Sequence, residues 1–161
     1  MHLTDGTAPL RAGGGPRDAW VPGGARVTTA AAARAHAETT VRAHRASEGR
    51  TPHPRDMIDL SLVVSELVTN AIRHGGGLAG FDVLTTRDGV RIAVHDHSDV
   101  IPEAALGGAD LPRTHHGSGY GWPLVSRLAR ETEARRRPGG GKTIAALVPL
   151  RDAPAPAAEE H

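Results

Sequence analysis

Apolar residues recur at three-and-four spacing between Asp56 and His74. Met57, Leu60, Val64, Leu67, Val68 and Ala71 share one face, which predicts an amphipathic helix. Gly75-Gly76-Gly77 ends it, because glycine accepts the left-handed conformation that follows a helix. Upstream, Thr28 to about Ser47 is rich in alanine and free of proline, so an earlier helix is predicted with Thr28 or Thr29 as its cap. Gly49 to Pro54 breaks the chain between the two. Downstream, Ala79–Thr85 and Val90–His95 read as strands flanking Arg87-Asp88-Gly89, where Asp-Gly signals a tight turn. From about His97 to Gly117 no period is present, which is the length of a functional lid or a disordered loop. A third helix is predicted from Trp122 to about Glu131, with Pro123 in its first turn and Leu124, Val125 and Leu128 on its apolar face. Arg135–Arg137, a glycine-rich turn and Thr143–Leu150 complete a last hairpin. This order predicts an α+β fold, a two-layer sandwich in which a mixed sheet is covered on one face by helices.

Composition narrows the setting. The 161 residues suffice for one domain with a core, and aromatics are only 2%, so that core must be built from Leu, Val, Ile and Ala. Residues 1–24 hold Gly13-Gly14-Gly15-Pro16 and Pro22-Gly23-Gly24 and read as a flexible leader, within which Trp20-Val21 is available as a short edge strand. Residues 25–151 form the domain, and the Ala/Pro/Glu segment 152–161 reads as a frayed tail. A net charge of +1 gives no electrostatic reason to expect nucleic acid or a membrane as partner. The absence of cysteine excludes disulfides and thiolate metal sites. No run approaches the ~20 apolar residues of a membrane helix, and the N-terminus lacks a signal core, so a soluble cytoplasmic protein is expected. The basic residues are arginines except for Lys142, the only lysine.

Three features carry candidate chemistry. Glu66 and Asn70 lie four apart and project from one helix face, with Arg73 and His74 a turn further on. A carboxylate and a carboxamide placed this way offer hard oxygen ligands for Mg²⁺, and the carboxylate can instead polarise a hydroxyl or a water. On spacing alone, a solvated polar face is the simpler reading. Asp96 closes a strand at the mouth of the lid, where a carboxylate can accept a hydrogen bond from an exocyclic amine; alone, a polar strand terminator explains it as well. Gly117-Ser118-Gly119-Tyr120-Gly121 precedes a helix, so its backbone N–H groups and the helix dipole suit phosphate. It fits neither a Rossmann fingerprint nor a Walker A loop, and Gly140-Gly141-Lys142-Thr143 opens a strand rather than a helix. His95 and His97 share a strand face, and His115-His116 lie in the lid; zinc is one reading of them, and polar surface residues the simpler one.

Taken in order, these segments resemble the GHKL ATPases, the superfamily of gyrase B subunits, heat-shock chaperones, mismatch-repair ATPases and histidine kinases. Ser65-Glu66-Leu67-Val68-Thr69-Asn70-Ala71-Ile72-Arg73-His74 is similar to the N box, and Val94-His95-Asp96 to the adenine-binding box. Gly117 to Gly121 with Leu124-Val125 resembles the glycine box at the end of the lid, and Gly141-Lys142-Thr143 the final box. The match covers residues 28–150. Chain length and the wording of the N box most resemble the anti-sigma-factor serine/threonine kinases of actinomycete-type bacteria.

The resemblance implies a Bergerat fold binding ATP with Mg²⁺. In it Asn70 holds the metal, Asp96 binds the adenine amine, Gly119 and Gly121 contact phosphates, and Thr143 lies near the base. Glu66 is the implied general base toward a serine of a partner, a sigma factor or the antagonist of an anti-sigma factor. The alternative is an ATP-sensing protein-binding module without kinase activity. Homodimers occur in such kinases, but no exposed apolar stripe here supports one. Two departures stand out. Asp96-His97-Ser98 lacks the usual glycine of the adenine box, which implies looser adenine packing, and Trp122-Pro123 replaces aliphatic residues. No phosphoacceptor-histidine helix is read ahead of the domain, so autophosphorylation is not expected.

Overall fold

The computed structural model describes residues 19–21, 27–102 and 121–156. The elements run β1 (Ala19–Val21), α1 (Ala30–Ser47), α2 (Pro54–His74), β2 (Leu78–Thr85), β3 (Gly89–Asp96), α3 (Gly121–Leu128), β4 (Glu131–Arg136) and β5 (Lys142–Pro149).

Helix α1 begins where a side chain satisfies its first free N–H groups: Thr29 caps it, accepting from the Ala32 amide at 3.1 Å. Its inner stripe is Ala33, Ala37 and Val41, spaced by four and wholly buried, and small enough to bring the helix close to its neighbours. Helix α2 starts two residues before the predicted Asp56. Pro54, expected only to break the chain, is its first residue, since its missing N–H would be unpaired there in any case. Met57, Leu60, Val63, Val64, Leu67, Val68 and Ala71 form its buried face. It lies between α1 and α3 and packs onto β3 and β5.

Among the described residues the sheet has five strands in the order β1-β2-β3-β5-β4. All four pairings are antiparallel, which corrects the mixed sheet expected from sequence. The short turns joining β2 to β3 and β4 to β5 force antiparallel neighbours, and no parallel crossover joins the rest. Alternation sends Val90, Ile92, Val94 and Asp96 of β3 and Lys142, Ile144, Ala146 and Val148 of β5 to the helix-covered side. The edge strand expected at Trp20-Val21 is present as β1, paired with β2.

Helix α3 ends at Leu128, short of the predicted Glu131. Arg130 donates its amide to the Leu147 carbonyl at 2.8 Å, and Glu131 opens β4 opposite Leu147. Pairing with β5 outweighs the helical preference of glutamate and arginine at these positions.

After β5 the chain runs beside the α1–α2 connection. Pro52 and Asp152 form an isolated bridge, and the Ala153 amide donates to the Thr51 carbonyl at 2.8 Å. Asp152 receives Arg45 at 3.2 Å and Arg50 at 2.8 Å, and Asp56 receives the Arg151 amide and guanidinium. The first residues assigned to a frayed tail are thus tied into the domain. Among the described residues no helix is long and apolar enough to cross a membrane.

Candidate nucleotide-binding site

The candidate residues meet where the C-terminal half of α2, the end of β3 and the start of α3 converge. Glu66 and Asn70 share one side of α2 and are half-buried, beside the fully buried Leu67 and Val68. Asn70 carries a buried Nδ2 with no hydrogen-bond partner among the described residues. Burying an amide N–H without a partner costs about 1–3 kcal/mol, a cost that a ligand oxygen accepting from it would relieve. Arg73 and His74 follow in the last turn, both exposed.

Gly75 joins the helix end to the strand end. Its amide donates to the Ala71 carbonyl at 3.0 Å, and its carbonyl accepts from the His97 amide at 2.8 Å. A Cβ there would lie 2.6 Å from Cγ of Asp96 and would strike its carboxylate, so only glycine lets the two elements approach this closely.

Asp96 is 3% exposed. One carboxylate oxygen lies 2.7 Å from Nζ of Lys142, and the other accepts from the Ser98 amide at 2.9 Å. Ser98, the departure from the usual glycine, therefore uses its backbone to hold the carboxylate, while its hydroxyl accepts from the Val100 amide at 3.2 Å. The turn before β5 presses on the same residue. Gly141, at φ +83°, stands against the Asp96 backbone carbonyl where a side chain would collide, and its amide donates to Asp99 at 2.7 Å.

Helix α3 begins on Glu66. A Cβ on Gly121 would lie 2.9 Å from the Glu66 Cδ. A carboxylate at a helix N-terminus sits in the favourable end of the macrodipole, and the same end suits phosphate. Gly117, Ser118, Gly119 and Tyr120 lie outside the described residues, as do His115 and His116.

Thr143 is not brought to Asp96. It lies on the other face of the sheet, where its hydroxyl is 2.6 Å from Nδ1 of His95, whose Nε2 is 2.7 Å from Asp82. Gly80 leaves room for that ring. The side chain that β5 turns toward Asp96 is Lys142, one residue earlier. Sequence reasoning noted Lys142 only for its rarity; alternation counted back from Ile144 places it on the inner face. His95 is engaged on both ring nitrogens, and His97 packs against Gly76 and Gly77 instead of joining it.

The donor set fits a magnesium nucleotide: a carboxylate and a carboxamide one turn apart, an unengaged amide end, a buried carboxylate at a strand end and a helix N-terminus facing the first of these. The sequence pattern of the histidine kinase-like ATPase domain matches residues 24–147. The sensor-type histidine kinase PrrB of Mycobacterium tuberculosis is 29% identical over 101 residues, covering 56% of this chain and 23% of its own length. PrrB of Mycobacterium bovis gives the same figures. The chain thus spans about a quarter of the length of these curated relatives. A match running from ahead of α1 to near the end of β5, over the residues that build the site, shows that the chain belongs to the histidine kinase-like ATPase domain family of the GHKL superfamily.

Proposed function

We propose that the chain binds Mg–ATP at this junction and acts as a serine/threonine protein kinase of the anti-sigma-factor type. Its partner would be a sigma factor or the antagonist protein that an anti-sigma factor opposes. The observation that carries the reading is the convergence on α2: Glu66 beneath the start of α3, Asn70 one turn on with a buried unpartnered amide, and Gly75 against Asp96.

In this reading Asp96 accepts a hydrogen bond from the exocyclic amine of the base, Asn70 offers its carbonyl oxygen to Mg²⁺, and the backbone at Gly121 faces phosphate. Bound Mg²⁺ supplies charge neutralisation on the phosphates. Glu66 takes the proton of the serine hydroxyl as its oxygen bonds to the γ-phosphorus and the bond to the β-phosphate oxygen breaks. The partner, the serine/threonine specificity and the metal rest on the resemblance of the N box to the anti-sigma kinases and on the donor chemistry of Glu66 and Asn70.

A second reading is an ATP-sensing module that changes partner affinity without phosphoryl transfer. It is favoured by the contact of Gly121 with the Glu66 carboxylate, which covers the proposed base. Incubation with labelled ATP, Mg²⁺ and the antagonist proteins of the source genome separates the two. A kinase transfers label to one of them and loses transfer in Glu66→Gln while still binding ATP. Absence of transfer, with nucleotide-dependent partner binding unchanged in Glu66→Gln, leaves the sensor.

A further inference from the structure

The sheet ends on β4, and among the described residues no strand pairs with its outer side. The other edge, β1, is only 3 residues long. Just past the end of β4, the Arg137 amide donates to the Gly141 carbonyl at 2.8 Å. Opposed residues of an antiparallel ladder alternate between pairs that exchange backbone hydrogen bonds and pairs that do not. Counted back from Arg137 in the β4–β5 register, Glu131, Glu133 and Arg135 therefore turn their backbone groups toward β5. Thr132, Ala134 and Arg136 turn theirs to the open edge. A row of such groups is a template for another strand.

The side chains of the same segment follow a charge order. Glu131, Glu133, Arg135 and Arg137 alternate onto the face of the sheet away from the helices. Charges on an edge strand usually keep other strands away. Two acids followed by two bases, however, are their own complement when the strand is reversed. With Ala134 opposite Ala134 of a second copy, the free backbone groups of Thr132, Ala134 and Arg136 meet those of Arg136, Ala134 and Thr132. Glu133 then stands opposite Arg135 and Glu131 opposite Arg137, each pair occurring twice by symmetry. These fall at the non-hydrogen-bonded positions, where Cα atoms are only ~4.5 Å apart and side chains are closest. The adjacent symmetric registers that keep the backbone in step set Glu133 against Glu133 or Arg135 against Arg135. Charge thus selects one register. Within one copy Glu133 is held on this face by Arg91 at 2.6 Å and by Arg135, whose side chain is 55% exposed and keeps N–H groups for a second carboxylate.

We propose that β4 pairs antiparallel with β4 of a second copy, about a twofold axis at Ala134. The two sheets join into one, with the described helices of both copies on the same side. The contact is isologous, so the residue that meets Arg135 in one copy is the residue that Arg135 meets in the other. One strand pair is a small interface, at the weak and transient end of the range. The chain therefore exchanges between monomer and dimer with concentration, and salt opposes the dimer by screening the exposed pairs.

Sedimentation velocity of the whole chain over a concentration series at low salt, with amide hydrogen exchange at the same concentrations, tests this. The wild type is expected to pass from monomer to dimer, and the Thr132, Ala134 and Arg136 amides to gain protection as it does. Glu133→Arg sets like charges opposite each other at two places and should weaken association about tenfold or more. Arg135→Glu should do the same. The double variant Glu133→Arg with Arg135→Glu exchanges the signs and should return association to near the wild-type level. A wild type that stays monomeric up to about 1 mM overturns the proposal. So does a dimer that leaves those three amides unprotected, or a double variant as weak as either single one. The wild-type result is decisive by itself, so the test survives a variant that does not fold.

Discussion

At the scale of single residues, the site depends on glycines that are there for space and on polar groups held by backbone. Gly75→Ala would drive a methyl group into the Asp96 carboxylate, from an ideal position 2.6 Å from its Cγ. Overpacking of this kind costs about 1–3 kcal/mol, so urea unfolding of Gly75→Ala should show a loss in that range, together with weaker nucleotide binding. An unchanged midpoint would mean that α2 and β3 do not meet as closely as described. Glu66 and Asn70 were legible as a pair because spacing of four on a helix leaves no doubt about the shared face. Spacing alone did not separate a ligand-facing role from a solvated face; the approach of Gly121 and the buried Asn70 amide support the former. Thr143 does not lie beside Asp96. Strand side chains alternate, and the one that β5 turns to the face of Asp96 is Lys142, one residue earlier.

At the scale of elements, α2 is the member on which the others are placed. Leu60 is fully buried in its apolar face. Leu60→Ala should cost about 2–5 kcal/mol. Ile58, one helical position off that face and 61% exposed, should cost less than about 0.5 kcal/mol when changed to Ala. Comparable losses for the two in chemical denaturation would mean that the buried face of α2 is misassigned. The start of α2 is held by Asp56, which accepts from the Arg151 amide at 2.7 Å and from its guanidinium at 2.9 and 3.1 Å. Side-chain hydrogen bonding to Arg151, with burial opposing it, holds the Asp56 carboxyl below its ordinary value of 3.8. The folded value is therefore the depressed one. The stabilisation is complete above the unfolded value and is lost as pH falls through the folded one. Melting temperature should drop on acidification below about pH 4, and Asp56→Asn should flatten that limb while lowering stability at neutral pH by about 2 kcal/mol. An acid limb of equal steepness in Asp56→Asn would assign the effect elsewhere. α2 was readable from its period alone, whereas β4 was read only at its end, from Arg135, and its start at Glu131 was not. Its residues favour helix, its alternation is weak, and only β5 beside it makes it a strand.

At the scale of the whole molecule, the three helices among the described residues lie on one face of an antiparallel sheet and bring the end of β3, the end of α2 and the start of α3 to one place. Local sequence could not show this, because the meeting depends on strand order and on packing between elements far apart in the chain. The four motif segments pointed to the family, and the family match over residues 24–147 shows it. The central claim is that this junction binds Mg–ATP, and differential scanning calorimetry of the whole chain tests it most directly. At about a hundred times the dissociation constant, a ligand of the folded state adds ~2.7 kcal/mol. Melting temperature should rise by several degrees with ATP and Mg²⁺, and the rise should be lost in Asn70→Ala. An unchanged melting temperature at millimolar Mg–ATP, or an equal rise in Asn70→Ala, would contradict it.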